Sequence, residues 1–378
     1  MRPDVAIVGG GVIGWSAAYN LSRLDPGLRV VVIDRFAGSG MGSTGLAAGG
    51  VRAQFSTEVN IALSKRSIAF FEGFHEATGE DPTFNQFGYL LVTASDEGAR
   101  SLASRRLMQN GLGVAVEEWG PLALEEKAPY LRREDIVAAC YGPKDGYLDP
   151  YAVCRGFEKA SRAAEVGGIN NTRVLAGKKG LVVTEHGSIE CDTVLLCPGH
   201  WSRDTGESFG VDLPVKHERH MLALTGPTPN LPEQMPMVVD IDTSFHFRRE
   251  GEGLLIGCNW NCPTPKNPDA LAVFEFGFLQ AIAEYGIKRL PLLNDVGFDT
   301  KRSWAGYYAE TPDHHAIIGE ADGVFVCTGF GGHGVMHSPA AGEAVAQLIV
   351  RGESEVDVSA LRPSRFAEGD LIVEEMVI

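Results

Sequence analysis

Gly9-Gly10-Gly11-Val12-Ile13-Gly14, near the start of the chain, places glycine at the three positions that let a main-chain turn approach a pyrophosphate. Gly9 permits the tight turn, Gly11 lets the backbone come close to phosphate, and Gly14 lets a helix pack against a strand. Asp34 follows Gly14 by 20 residues, where its carboxylate can take a ribose hydroxyl. Together these residues indicate a bound dinucleotide whose phosphates meet the unpaired N–H groups of a helix N-terminus. Other side chains also invite chemistry. Arg52 follows a glycine-rich stretch, and a guanidinium can grip a carboxylate with two hydrogen bonds. His333 sits inside Gly329-Phe330-Gly331-Gly332-His333-Gly334, and His246 lies in a strand-like stretch. His314 and His315 stand beside Asp313, but adjacent residues point apart and no third ligand has a suitable spacing, so no metal is expected.

The elements that must position these residues follow from the apolar pattern. Val5–Val8 predicts a strand, a helix runs to about Leu24, and Arg29–Ile33 predicts a second strand closing on Asp34. Ala37–Gly50 is too rich in small residues to be core. An amphipathic helix is expected over 57–77, a strand over 89–93, a charged helical region to Lys127, a loop over 145–150 and a helix over 151–164. Short strands at 173–175, 181–184, 188–190 and 193–197 form a meander, and 220–225, 244–249 and 254–259 are further strands, the last two a hairpin. A helix is expected over 269–285, capped by Gly286, then a strand over 323–328 and a helix over 338–350 with Pro339 in its first turn.

Composition bounds the rest. With 378 residues, 44% of them hydrophobic, the chain can fill two domains or one large α/β body. A net charge of −16 argues against a nucleic-acid partner, and a carboxylate substrate would need a local cation. Seven cysteines form no CxxC pair, and Cys258 and Cys262 lack a second ligand pair, so all seven are expected to be reduced and mostly buried. The first strand leaves no room for a signal peptide and no apolar run reaches ~18 residues. A cytoplasmic protein with no membrane span is the expectation.

Four blocks together resemble the D-amino-acid-oxidase-like flavoprotein superfamily, which includes glycine oxidase, monomeric sarcosine oxidase and the β-subunits of proline dehydrogenases. They are Gly9–Gly14, Ser39–Arg52, the Thr184–Gly199 stretch with Gly187, Ile189, Asp192 and Val194-Leu195-Leu196, and Trp304-Ala305-Gly306-Tyr307-Tyr308 with Thr311-Pro312-Asp313 followed by Gly329–Met336. The resemblance covers nearly the whole chain. It implies a Rossmann-like α/β FAD-binding domain assembled from 1–84, 145–212 and 305–378. A second, α+β substrate domain on a mainly antiparallel sheet, from 85–144 and 213–304, would roof the flavin.

The same resemblance implies the site. Non-covalent FAD would contact Gly9, Gly11, Val12, Ile13, Gly14, Asp34 and Arg35, then Ser43, Thr44, Gly49 and Gly50. Val174, Gly199 and Trp201 would follow, and finally Gly331, Gly332, His333, Gly334, Val335 and Met336. Arg52 would bind a substrate carboxylate, His333 would help the helix end stabilise negative charge on the reduced ring, and His246, Tyr308 and Asn259 would line the substrate cavity. Departures accompany the matches. Tyr308 replaces the carboxylate-anchoring arginine of glycine oxidase and D-amino acid oxidase. In the sarcosine oxidase comparison, Met336 replaces a second cation, Leu255 the oxygen-activating lysine and Gly306 the flavin-linked cysteine. The expected activity is oxidation of an amino acid or N-alkyl amino acid by hydride transfer to flavin N5, giving an imine that hydrolyses. The electron acceptor, whether oxygen, quinone or a partner subunit, is left open. Three alternatives stand beside it: a catalytic β-type subunit of a dehydrogenase complex, a flavin-dependent 2-hydroxy-acid dehydrogenase, and a non-catalytic assembly factor.

Overall fold

The computed structural model describes residues 2–261 and 263–376; Cys262 lies outside the described residues. Val5–Val8 is buried along its whole length, as a central parallel strand must be when both faces are covered. It pairs in parallel with Val30–Ile33 on one side and Thr193–Leu196 on the other. Gly167–Ile169 and Val324–Thr328 extend the parallel sheet, and Ile317–Ala321 closes one edge in the antiparallel sense. The helix Val12–Leu24 lies against this sheet and against the last long helix, Gly334–Arg351. That helix contact is very close: a Cβ built on Gly342 would stand 2.2 Å from Ser16 Oγ, and the same hydroxyl donates to the Ser338 carbonyl at 2.7 Å.

A second sheet forms the roof. Its eight strands run in the order 304–310, 216–224, 253–257, 245–250, 237–240, 89–93, 138–142, 117–118. All neighbours are antiparallel except Met237–Asp240 with Tyr89–Thr93. A three-stranded meander, 174–190, hangs beside the first sheet as expected. The six described cysteines are all buried thiols.

Several elements differ from the expectation, each for a physical reason. Trp304–Glu310 is hydrogen-bonded to Lys216–Leu224 from Trp304↔Leu222 to Glu310↔Lys216, so this strand belongs to the roof and not to a dinucleotide-binding segment starting at 305. The helix expected over 57–77 breaks at Gly73 into Glu58–Glu72 and Phe74–Thr78. The helix expected from Asp269 begins only at Gly277, because Asp269 is held by Arg35, Arg173 and Trp201 across on the other layer. Gly286 is not its cap. It lies inside the helical run, where a Cβ would stand 2.5 Å from the Phe245 ring. The last helix starts at Gly334, four residues earlier than expected, which leaves Pro339 inside it. Proline removes the N–H that Val335 would have bonded, and Ser338 Oγ donates to the Val335 carbonyl at 2.8 Å in its place.

One buried ion pair fixes the route from the roof back into the parallel sheet. Arg365 donates to both carboxylate oxygens of Asp313, at 2.8 and 3.0 Å, with both side chains fully buried, and also to the carbonyls of Leu361 and His315. Burial alone would raise the Asp313 pKa; the Arg365 bonds reverse this and hold it below the ordinary value. Removing one partner strands a buried charge, so Arg365→Ala is expected to destabilise the fold by about 3–5 kcal/mol in chemical denaturation.

Candidate functional site

The turn after the first strand is as tight as its glycines allow. Gly9 has φ +110°, and a Cβ there would stand 2.2 Å from the Cys197 carbonyl oxygen. A Cβ on Gly14 would stand 1.9 Å from the Gly9 carbonyl oxygen, so helix and strand touch through this residue. Gly11 differs: its nearest neighbour would be Thr44 Oγ1 at 3.4 Å, on the side that opens into a cavity. The Val12 N–H at the start of the helix donates to the same hydroxyl at 3.2 Å. Asp34 ends the second strand, and its carboxylate accepts from the N–H groups of Gly10 and Phe36. Burial pushes its pKa up, against those hydrogen bonds.

The cavity holds about 550 Å³. At one end it is walled by Gly9, Gly11, Val12, Ile13, Asp34 and Arg35. Ser43, Thr44, Val174, Gly199 and Trp201 continue the wall. The other end is Tyr308 from the roof and Gly331, Gly332, Gly334 and Val335 at the start of the last helix. Two helix N-termini therefore open on one crevice at the carboxyl ends of a parallel sheet, where a dinucleotide fits. A Cβ on Gly11 would project toward that crevice, and the Asp34 carboxylate lies on its wall.

Other expected residues stand behind the wall. Gly14 is a packing position, as described. Gly49 has φ +77° and little room beside the Leu148 carbonyl, while a Cβ on Gly50 would stand 2.3 Å from Tyr89 Oη; the pair of strands Gly50–Val51 and Gly146–Tyr147 requires both glycines. Met336 is buried in the same apolar cluster as Trp15, Val335 and Ala340. His333 is buried between Gly332 and Gly334, its ring edge-on to Phe55 at 4.8 Å. Burial, and then Arg52, push its pKa well below the ordinary value. Its ring is therefore held toward the neutral form, so help from it in stabilising negative charge would come from a ring N–H and the positive charge from the helix end. His246 is also buried and neutral, its pKa lowered by burial to about 4, with Nδ1 2.8 Å from the Ser244 carbonyl. Tyr308 is stacked on His220 at 3.9 Å, a partner that sequence reasoning missed although strand alternation puts His220 opposite Gly306. Asn259 is an exposed residue beyond the strand Gly253–Gly257.

Arg52 is 1% exposed and does not lie on the cavity wall. Its guanidinium donates to the carbonyls of Gln54 and Met376 and lies 4.0 Å over the Phe55 ring. Among the described residues no carboxylate comes within ion-pair distance of it. The C-terminal tail that supplies Met376 is tied down by Glu374, which accepts from Ser56, Thr57 and Asn60. Nothing in the tail sequence signalled this. Asp145, also buried, accepts from the Ala53 N–H at 2.8 Å and Gln54 Nε2 at 3.0 Å. His314 and His315 turn to different partners, Glu310 and Thr57.

The buried histidines make stability depend on pH. Burial lowers both His200 and His246 to about 4, so between about 6.5 and 4 the unfolded chain binds protons that the native state does not. Stability is expected to fall across that window, by up to about 3 kcal/mol per histidine. Asp145, raised by burial to about 7, acts in the opposite sense, since its native carboxyl keeps a proton that the unfolded chain releases. Thermal melts between pH 4 and 7 should show a falling melting temperature on acidification, and Asp145→Asn should steepen the fall.

Comparison with known proteins matches residues 4–348 to the family described as FAD dependent oxidoreductase. FAD-dependent oxidoreductase domain-containing protein 1 of Xenopus laevis is 30% identical, over all of this chain and 85% of that protein. Mitochondrial dimethylglycine dehydrogenase of Rattus norvegicus is 26% identical over 97% of this chain, which spans only 45% of that enzyme. The solved L-proline dehydrogenase of P. horikoshii superposes with a TM-score of 0.89 at 28% identity, covering 98% of this chain and 99% of that one. No helix among the described residues is long and apolar enough to cross a membrane.

Proposed function

The chain belongs to the FAD dependent oxidoreductase family, and from that premise we propose that it oxidises an amino acid or N-alkyl amino acid. The observation that carries the reading is the continuity of one cavity, from the Asp34 carboxylate to Tyr308 and the Gly334 start of the last helix, with the roof sheet over its far end. Dimethylglycine and L-proline, the substrates named for two relatives, each carry an alkylated amine beside a carboxylate. FAD, when bound, supplies at its N5 the acceptor for a hydride from the substrate's α-carbon or N-alkyl carbon. Water then hydrolyses the substrate imine to an oxo product and a smaller amine.

The protein's own groups divide the work. Main-chain N–H groups at Gly331–Gly334 and the helix behind them favour negative charge at that end of the cavity, worth ~0.3–2 kcal/mol for a helix terminus. Tyr308 keeps its proton, burial having raised its pKa to about 12, and serves as wall and hydroxyl. Arg52 stands behind the cavity wall with its guanidinium on neutral carbonyls, so in this reading it acts on a substrate carboxylate through its charge and not by touching it. The amine reacts in its neutral form, so no side-chain base is required and the rate rises with pH as substrate deprotonates.

Arg52→Ala is expected to lower kcat/KM for carboxylate substrates by roughly five-fold, the scale of a nearby charge acting without a hydrogen bond, with the FAD spectrum retained. Unchanged KM and kcat in steady-state assays would remove Arg52 from the site.

One observation favours a dehydrogenase over an oxidase. Leu255, at the position of the oxygen-activating lysine, packs with Leu222 and Leu224 in a purely apolar cluster against Ala48 and Trp304. Substrate added without air should bleach the flavin. Reoxidation on admitting air should then be slower than with an artificial dye acceptor, and air reoxidation as fast as the dye's would make the enzyme an oxidase.

A further inference from the structure

Residues 263–277 leave the roof sheet, cross to the other layer and return at the helix Gly277–Ala281. They form a strap whose midpoint is Asp269. One oxygen of its carboxylate accepts from Arg35 Nη1 at 2.6 Å and Trp201 Nε1 at 2.8 Å, and the other from Arg173 Nη2 at 2.7 Å. On either side, His200 Nε2 stands 3.3 Å from the Pro268 carbonyl, and Tyr307 Oη donates to the Ala270 carbonyl at 3.0 Å. The ends of the strap are fastened to the roof strand Lys216–Leu224: His217 Nε2 lies 2.7 Å from the Pro265 carbonyl, and the Arg219 guanidinium meets Glu275.

Arg35, Arg173, His200, Trp201 and Tyr307 all line the dinucleotide cavity, whereas Asp269 does not. Each of the five faces the cavity on one side and the strap on the other. A ligand that leaves by displacing them must first break the strap's bonds. Leu271, Val273 and Phe276 are 82%, 52% and 71% exposed, and only Ala272 and Phe274 pack partly against the roof core, none of them on the cavity side. The strap's hold on that side is polar. Desolvation would raise the Asp269 pKa, but hydrogen bonds from Arg35, Trp201 and Arg173 bring it down to about 2, so the clasp is charged at any working pH.

We propose that residues 263–277 are a latch on the FAD cavity and that Asp269, a positioning residue supplied by the roof layer, slows FAD release by clasping Arg35, Arg173 and Trp201. The proposal rests on FAD binding and not on the substrate class, and its test uses no substrate.

Purified holoprotein is diluted into excess of an FAD-scavenging apoprotein, and the gain of the scavenger's own flavin-dependent activity gives the release rate. Asp269→Asn is expected to speed release about five-fold or more, the scale of a partly exposed, multiply hydrogen-bonded carboxylate lost. Asp269→Glu should restore most of the wild-type rate, and the melting temperature of the FAD-free protein should be unchanged. Salt should speed release from the wild type and not from Asp269→Asn, because screening acts on the clasp. Asp269→Ala, which removes the carboxylate without touching the cavity wall, provides the same reading if Asp269→Asn fails to fold. Release within two-fold of wild type in the variant that folds overturns the proposal. So does faster release accompanied by an equal loss of stability in the FAD-free protein.

Discussion

Three glycines with no room for a methyl group hold this molecule together: Gly9 against Cys197, Gly14 against Gly9 and Gly342 against Ser16. They let the first strand, the first helix and the last helix approach main chain to main chain. Both helix N-termini then converge on one crevice. A side chain at any of the three would separate the layers, and the phosphate end and the far end of the cavity would no longer belong to one ligand. The functional geometry is thus set by contact distance, and the polar residues of the site are arranged around it.

Charge is distributed to match. The protein is strongly acidic overall, yet its interior cations are individually bound: Arg365 by Asp313, Arg289 by Asp240 and Asp135, Arg52 by carbonyls. Arg52 alone in this group lacks a direct carboxylate among the described residues, and it lies behind the cavity wall. The buried histidines are held toward the neutral form, so oriented backbone at the start of the last helix supplies positive potential at the roof end of the cavity.

Much of this was legible from residue order. The turn Gly9–Gly14, its flanking strands, the helix to Leu24 and the strand Tyr89–Thr93 appear where periodicity places them. Asp149 caps the helix Pro150–Ala163 with its carboxylate on the Tyr151 and Ala152 N–H groups, so local chemistry was enough there too. What local pattern could not reveal was decided by distant partners. The phenylalanines of 269–285 read as a helix face, but Asp269 is claimed by arginines 234 and 96 residues away along the chain. Pro339 read as a helix start, and only the preceding Ser338 hydroxyl lets the helix begin earlier. The glycines at 49 and 50, cofactor contacts by resemblance, are packed against the Leu148 carbonyl and Tyr89, partners that a family motif does not reveal. Arg52 read as a contact for a substrate carboxylate, but it is buried off the cavity wall under a C-terminal tail held by Glu374, which carries no motif.

The roof sheet joins strands from two distant stretches of sequence, with Tyr89–Thr93 paired in parallel to Met237–Asp240. The parallel sheet is interleaved in the same way, since Val5–Val8 needs Thr193–Leu196. During synthesis neither layer can close before most of the other has been made. The nascent chain therefore carries unpaired strand edges for a long interval, and contacts of such long range make folding slow and aggregation a hazard. Splitting the gene between the layers would give no half that folds alone, and yield in a foreign host should depend on chaperone supply and growth temperature more than on the strength of the finished core.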